Sequence, residues 1–313
     1  MKKNLTWTTW INIMNIVILS KGPGNYSTKR LKEEAELRGH NVQVVDYAKC
    51  YVTLERSNPV VRYQGNNLHD IDVIIPRIAA SLTKYGSSIV RQFEMQNVYT
   101  TTSSIALVRA RDKLRSNQLF AKAGVGIPKT VFARETADPE DVIAQAGGTP
   151  LIIKVARGTH GKGVVLAETK KAAEAVMQAF YVEGVNFLVQ EFVKESAGTD
   201  IRAFVVGGKV VASMQRQSLD DDFRSNLHQG GEGTAIKLTD EERKTAQKAA
   251  KAMGLPICGV DMMRSERGPL VLEVNASPGF GIEKVTGRNV AAKIIEYVEQ
   301  NARKQRRKDR VGA

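Results

Sequence analysis

The chain has 313 residues, 42% hydrophobic and 25% charged, with a formal net charge of +13. This is the make-up of a soluble globular protein of two or three structural units with ample core. Two cysteines, Cys50 and Cys258, form neither a disulfide framework nor a metal spacing, and no run reaches the about 18–20 apolar residues of a membrane span. A reducing, cytoplasmic setting and no membrane are therefore expected, and the basic excess calls for an acidic partner such as nucleic acid, phosphate ligands or an acidic peptide.

Along the chain, MKKNLTWTTWINIMNIVILS opens with two lysines and a mildly apolar stretch. Asn4, Thr6, Thr8, Thr9 and Asn12 interrupt it and no small-residue cleavage site follows, so it does not read as a signal peptide. MNIVILS (14–20) reads as a first strand, with residues 1–13 an upstream extension or a mis-called start. A helix over YSTKRLKEEAELRGH and a strand at NVQVVDY complete a β-loop-α-β start of an open α/β sheet. DVIIPRI (72–78) predicts a buried strand and SSIVRQFEMQ (87–96) a helix. The first unit, 14–110, ends there. ARDKLRSNQLFAKAGVGIPKT (110–130) predicts one helix with Leu114, Leu119, Phe120 and Ala123 on its apolar side, stopped by Gly124, Gly126 and Pro128. A short helix near 138–146, strands at LIIKV (151–155) and VVLAE (164–168), a helix over 169–180 and a strand at FLVQEFV (187–193) make a second unit, 111–199. The third, 200–300, begins with DIRAFVVGGKVVASMQR, two strands around a Gly207-Gly208 turn. A polar glycine-bearing loop, LDDDFRSNLHQGGEG, follows. TDEERKTAQKAAKAMG (239–254) has a Thr/Asp start, an acidic first turn and a glycine stop, and reads as a helix. A strand pair and a last helix from about 287 close the unit, and 301–313 is a basic tail.

GVDMMRSERGPLVLEVN (259–275) carries the first chemical signal. Folded as an antiparallel hairpin centred near Arg267, it sets Asp261 opposite Glu273, with Asn275 on the same face. Val260, Met262, Leu272 and Val274 then face the core. Three oxygen-bearing side chains with no His or Cys suit Mg²⁺ or Mn²⁺. The alternative is an Asp/Glu/Asn network capping a sheet, in which two facing carboxylates repel unless something positive lies between them.

KVARGTHGKGVV (154–165) carries the second. Its glycines, Gly158, Gly161 and Gly163, are not a Walker A loop, since Gly163 follows Lys162, nor a dinucleotide turn, since a strand follows. Such a connection is either a plain flexible hairpin or a flap whose backbone N–H groups approach phosphates. Lys154 would then be an interior charge aimed at phosphate. Lys113, Arg202, Arg216, Arg224 and Asn226 are each surface groups if taken singly. Arg202 and Arg216 lie on strands flanking a hairpin, where an inward arginine needs an anion. QEFV (190–193) ends a strand with free backbone groups that can meet adenine, and Asp200 can take a ribose hydroxyl.

In combination, DKLRSNQLFAKAGVGIPKT, IIKVARGTHGKGVV, LVQEFV, DIRAFVVGGKVVASMQR, FRSNLHQGG, GVDMM and LEVNASPG resemble the ATP-grasp superfamily over residues 14–300. RIAASLTKYGSSIVRQFEMQ, ARARDKLRSNQLF, DFRSNLHQGG and EVNASPGFGIEKVTG are similar to the RimK-type ribosomal-protein glutamate ligases. The resemblance implies an α/β and α+β architecture: a Rossmann-like pre-ATP-grasp domain followed by two subdomains that clasp ATP, the second bearing the metal hairpin. It implies that Lys113 and Lys154 contact phosphates and nucleotide, Glu191 and Phe192 lie at the adenine edge and Asp200 at the ribose. Arg224, Ser225 and Asn226 would line the junction of nucleotide and substrate. Asp261, Glu273 and Asn275 would bind one or two Mg²⁺ or Mn²⁺ ions.

The activity so implied activates a carboxylate by ATP as an acylphosphate, which an incoming amine converts to an amide. Such chemistry needs positioning and neutralised oxyanions more than an acid or base. Arg202, Arg216 and Asn226 are the expected catalytic groups, and flap closure would keep water from the intermediate. Cys258 reads as a small buried apolar residue, not a nucleophile. The expected amine is L-glutamate and the expected acceptor an acidic protein C-terminus, that of the sixth small-subunit ribosomal protein, or a growing α-linked glutamate chain. A homo-oligomer, a tetramer by resemblance, is expected. Rival acceptors are a pterin or deazaflavin coenzyme, an amino-group carrier protein and a glutathione precursor. A basic ribosome- or RNA-associated binding protein is the rival from another class, opposed by the 6% aromatic content and a positive run confined to the tail.

Overall fold

Strands rich in Val and Ile, buried on both faces, begin the fold, as a parallel sheet covered on two sides requires. A computed structural model of the chain describes residues 13–56, 59–134, 137–156, 163–196, 198–218 and 232–302. The expected extension 1–13, except Ile13, the tail from 303, and the loop that holds Arg224, Ser225 and Asn226 lie outside the described residues, as do Gly158, Gly161 and Lys162.

The first unit runs β1 (Asn15–Ser20), α1 (Tyr26–Leu37), β2 (Asn41–Val45), β3 (Cys50–Thr53), β4 (Val60–Tyr63), β5 (Asn66–Asn67), β6 (Val73–Arg77), α2 (Thr83–Met95), β7 (Tyr99–Thr100) and α3 (Ser104–Ala110). Its main sheet has the order β2-β1-β6-β7, all parallel, and β3-β4-β5 form a small antiparallel sheet beside it. The chain passes from β1 outward to β2 and returns to the other side of β1, so the topological switch lies between β1 and β6.

The helix expected over 110–130 is present but shorter, starting after Asp112 and ending at Lys122, because α3 already ends at Ala110. Asp112 accepts from the Arg115 N–H at 3.0 Å and so caps a new helix, α4 (Lys113–Lys122). A short polar side chain at this point competes with helix continuation and favours the cap. Then come β8 (Thr130–Val131), α5 (Pro139–Gln145), β9 (Leu151–Val155), β10 (Val164–Ala167), α6 (Lys170–Val182) and β11 (Phe187–Glu191), with an antiparallel sheet in the order β10-β9-β11-β8. Ile143, Leu151, Ile153, Met177, Phe187 and Val189 fill a core of their own.

The last unit contains β12 (Thr199–Val206), β13 (Lys209–Gln217), β14 (Glu232–Ala235), α7 (Asp240–Met253), β15 (Ile257–Met263), β16 (Leu270–Asn275), α8 (Gly281–Thr286) and α9 (Val290–Asn301). Its sheet order is β14-β13-β12-β15-β16. Gly207 and Gly208 have φ of 58° and 77°, the left-handed pair that a two-residue hairpin turn of this type demands. Two elements were not legible locally: β14, at the end of the expected polar loop, and α8 ahead of α9. Leu272 is also displaced from expectation. A bulge after Asp261 sets Met262 opposite Val271, so Val271 is fully buried in its place and Leu272 is only half-buried.

First and last units share cores. Val17, Leu19, Ile74 and Phe93 pack with Ile201, Val205, Val260 and Val274. On the other face Ile16, Ile18 and Leu31 pack with Phe204, Met214 and Ile295. The middle sheet thus has its own core beside one shared body, an arrangement in which it can shift as a unit.

α7 shows how its local sequence is spent. Thr239 Oγ1 accepts from the Glu242 N–H at 3.1 Å, and Glu242 Oε2 accepts from the Thr239 N–H at 2.8 Å. Burial pushes the Glu242 carboxyl up, but Arg264, 2.6 Å from its Oε1, and the Thr239 N–H more than offset this and hold it below the usual range. A depressed folded-state value contributes stability above the unfolded carboxylate range, and this is lost as pH falls through the folded value. Thr239→Ala should cost about 1 kcal/mol in urea denaturation. The stability gap between the parent protein and Glu242→Gln should be widest near pH 7 and shrink on acidification below about pH 4.3, the usual glutamate value; a gap independent of pH would remove the charge from this account.

Candidate functional site

Antiparallel pairing places four charged residues side by side. β12 lies between β13 and β15, so Arg202 is opposite Asp261 and Asp200 opposite Arg216. Arg202 Nε donates to Asp261 Oδ1 at 2.7 Å, and its Nη2 to Oδ2. Arg216 Nε donates to Asp200 Oδ1 at 2.6 Å, its Nη2 bonds the other Asp200 oxygen, and the same nitrogen lies 3.0 Å from Asp261 Oδ2. The anions that the inward arginines need are therefore within the sheet. Arg216 is 2% exposed and Asp261 3%. Burial pushes the Asp261 carboxyl up, but Arg202 and Arg216 reverse this and hold it at about 2. The same carboxylates keep the Arg216 guanidinium firmly protonated despite burial. Both Asp200 oxygens are occupied by Arg216.

Asp261 and Glu273 are directly opposed, as the hairpin expectation required, and Asn275 joins them. Its Nδ2 donates to Glu273 Oε1 at 3.0 Å and lies 3.4 Å from Asp261 Oδ2. Among the described residues no group of three His, Cys, Asp or Glu side chains forms a metal cluster; the trio is two acids and an amide. Two guanidinium groups already neutralise Asp261, whereas Asn275 donates to Glu273.

Cations surround Glu273 from three other elements. Lys154, on β9, is 7% exposed and donates from Nζ to Gln190 Oε1 at 2.8 Å. Gln190 in turn donates to Thr130 Oγ1 at 2.7 Å. Burial, and then Lys113, push the Lys154 ammonium down to about 8, while Glu273 pulls it up. Lys113, the first residue of α4, is likewise lowered by burial and favoured by Glu273. Its N–H donates to Ala156 O at 3.2 Å, which ties the helix start to the residue before the glycine-rich segment. Arg111, at the end of α3, is lowered by burial with Glu273 again opposing. Glu273 thus acts on three cations, with Asp112 also beside Lys113, a cluster of positive charge that suits a polyanion.

The strand-end expectation at QEFV needs correction. β11 is an inner strand, paired with β9 and β8, and the Glu191 N–H donates to Lys129 O at 3.0 Å. The free backbone groups therefore begin beyond Glu191, at the half-buried Phe192. The Glu191 carboxylate accepts from the Lys129 N–H at 2.8 Å and pairs with Arg267. Cys258 is fully buried and its thiol is pushed up by burial, which suits the apolar role expected of it. Gln190 and Arg111 were not singled out from sequence. Gln190 is a polar residue in an apolar strand, a usable signal; Arg111 is one of several cations in RARDK and carries none by itself.

Residues 110–298 match the family described as the RimK-like ATP-grasp domain, and residues 14–107 the RimK PreATP-grasp domain. A protein of Teredinibacter turnerae named "Probable alpha-L-glutamate ligase" is 54% identical over 298 residues, which are 95% of this chain and 99% of the relative. A protein of Aliivibrio fischeri with the same name is 53% identical over the same shares. Among solved structures, the RimK domain protein ATP-grasp of Sphaerobacter thermophilus has a TM-score of 0.68 at 19% identity, over 91% of this chain and 99% of that one. The ATP-grasp ligase PsnB complexed with minimal precursor, Mg and ADP has a TM-score of 0.70 at 20% identity, over 93% of this chain and 98% of that one. These likenesses bear on the fold. No helix among the described residues is long and apolar enough to cross a membrane.

Proposed function

The chain belongs to the RimK-like ATP-grasp ligases, and on that premise we propose that it joins the amine of L-glutamate to the C-terminal carboxylate of an acidic acceptor, with ATP as the activating substrate. The acceptor proposed is the C-terminus of the sixth small-subunit ribosomal protein, or the α-linked glutamate chain grown on it. One observation carries the reading: Arg111, Lys113 and Lys154 converge on Glu273 beside Asp261 and Asn275, a cation-rich site edged by hard oxygen donors.

The donor set fits Mg²⁺ or Mn²⁺, because two carboxylates and a carboxamide supply oxygens and leave positions for phosphate and water. When bound, the ion would neutralise phosphate oxygens during transfer. Glu273 and Asn275 are the residues with oxygen to offer, and Asp261 would share its charge with Arg202 and Arg216. Lys154 and Lys113 bind the phosphates. Arg202, whose side chain is 15% exposed, reaches the developing acylphosphate, while Arg216 orients Asp200 and Asp261 behind it. Phe192 stands at the edge where the base is read.

The reading is tested by incubating the full chain with Mg²⁺, ATP, glutamate and the ribosomal peptide, and reading phosphate release together with mass increments of one glutamyl residue. A pterin or deazaflavin coenzyme, an amino-group carrier protein and a glutathione precursor serve as comparison acceptors. Phosphate without amide, or neither product, would defeat the proposal. Lys154→Met adds a second check. Removing a desolvated ammonium whose ordinary value of 10.5 is lowered to about 8 should leave stability unchanged or raise it by up to about 2 kcal/mol. The same change should raise the KM for ATP at least about tenfold. Because the charged form is held only below about pH 8, the parent protein should bind ATP less well as pH rises through that value. A variant that loses stability but binds ATP normally would make Lys154 a structural residue.

A further inference from the structure

Two arginines, Arg77 and Arg111, form no ion pair among the described residues, although Glu273 acts on Arg111. Arg77 ends β6, opposite Ser20 at the end of β1, and so stands at the carboxyl ends of the parallel strands where the sheet order reverses. In open α/β sheets that crevice is where ligands bind. Its Nη2 donates to Ser27 Oγ at 3.0 Å and to Pro278 O at 2.6 Å, and its guanidinium lies 5.1 Å from the centroid of the Phe280 ring. Arg111 donates from Nη2 to Ile78 O at 3.0 Å, but its Nε is buried without a hydrogen-bond partner. Neither arginine forms an ion pair among the described residues. Their neighbours in the fold differ: Arg202 and Arg216 have Asp261 and Asp200, and Arg30 and Arg38 have glutamates. Burial and then the nearby Arg111 push Arg77 down to about 10, so the two repel each other across the crevice. Ser277 Oγ, one residue before Pro278, is also buried and unpartnered.

Two desolvated, mutually repelling guanidinium groups are costly without an anion. In the proposed ligase reading, phosphates are served by Lys113 and Lys154. We propose that Arg77 and Arg111 form a carboxylate-binding subsite, which holds a carboxylate of the acidic substrate other than the one that is activated. The subsite deepens the ligase reading and rests on it. It opens between the first unit and the segment that follows β16, so the carboxylate it holds would lie beside the metal hairpin. Either the incoming amino acid or a glutamyl side chain of the acceptor can supply that group. A planar fork of donors suits it better than a lysine would.

The test is equilibrium binding of free glutamate and of an α-linked triglutamate peptide to the full chain, alongside binding of ATP. Arg77→Gln and Arg111→Gln should each weaken one or both acidic ligands about tenfold or more, and Arg77→Gln should leave ATP binding unchanged. Arg77→Lys should fall between parent and Arg77→Gln. Ser27→Ala, which removes one contact of Arg77 without its charge, should bind as the parent does. Loss confined to free glutamate assigns the subsite to the incoming amino acid, loss confined to the peptide assigns it to the acceptor, and loss of both assigns a group they share. Arg111→Gln keeps the test open if Arg77 proves needed for folding, since Arg111 holds only one carbonyl. Normal binding of both acidic ligands by the folded variants, ATP binding weakened to the same degree by Arg77→Gln, or a parent protein that binds neither ligand would overturn the subsite. A parent protein that binds them but forms no amide would instead overturn the ligase reading and leave the subsite standing.

Discussion

Glu273→Gln should abolish ligation while the chain stays folded. Glu273 is half-buried at the end of β16, bonded to Asn275, with Arg111, Lys113 and Lys154 acting on it. The amide keeps the shape and the hydrogen bond but removes the one carboxylate these cations share. It also removes the donor with most charge to give a metal ion, since Asp261 is already committed to two arginines. Loss of a direct ligand worth several kcal/mol corresponds to a fall in kcat of at least about a thousandfold. Stability should change by less than about 1 kcal/mol. The Mg²⁺ concentration needed for any residual turnover should rise, and a chelator should silence the parent protein. A variant that keeps turnover within about tenfold of the parent, at the same Mg²⁺ requirement, would take Glu273 out of the metal assignment.

Arg216→Met should be felt first in folding. Arg216 is 2% exposed and holds Asp200 with two hydrogen bonds while it touches Asp261. Without it Asp200, 7% exposed, keeps a buried charge with no partner, and breaking a buried pair from one side costs about 3–5 kcal/mol. Urea denaturation reads this directly. Adding Asp200→Asn should recover part of the loss, because the orphaned charge is then gone, and the two effects should be clearly non-additive. A single variant as stable as the parent would show that the pair does not hold the sheet together. Activity should fall as well, through disordering of Asp261 and Arg202 rather than through lost contact with substrate.

Two β-bulges separate what was legible in the sequence from what was not. A hairpin folded symmetrically about Gly207-Gly208 would set Asp200 opposite Gln215. A register shift between Phe204 and Val205 makes the partner Arg216 instead. In β15–β16 the opposite happened to the reading. The symmetric fold about Arg267 gave the correct pairing of Asp261 with Glu273, and a shift on the turn side of that pair replaced Leu272 by Val271 in the core. Since side chains alternate faces, one inserted residue decides which face a charge occupies. No local pattern announces it.

The amino-acid sequence by itself determined the parallel opening sheet, the glycine hairpin, the capped α7, the interior position of Lys154 and the convergence of Asp261, Glu273 and Asn275. These follow from periodicity, turn residues and spacing within a few dozen positions. Only the tertiary structure decided which carboxylates neutralise Arg202 and Arg216, that Gln190 holds Lys154, and that Arg77 and Arg111 form no ion pair among the described residues. A charge's cost depends on how deeply it is buried and on what faces it. In this fold its partners come from strands and helices that lie far apart along the chain and meet only when the shared core closes.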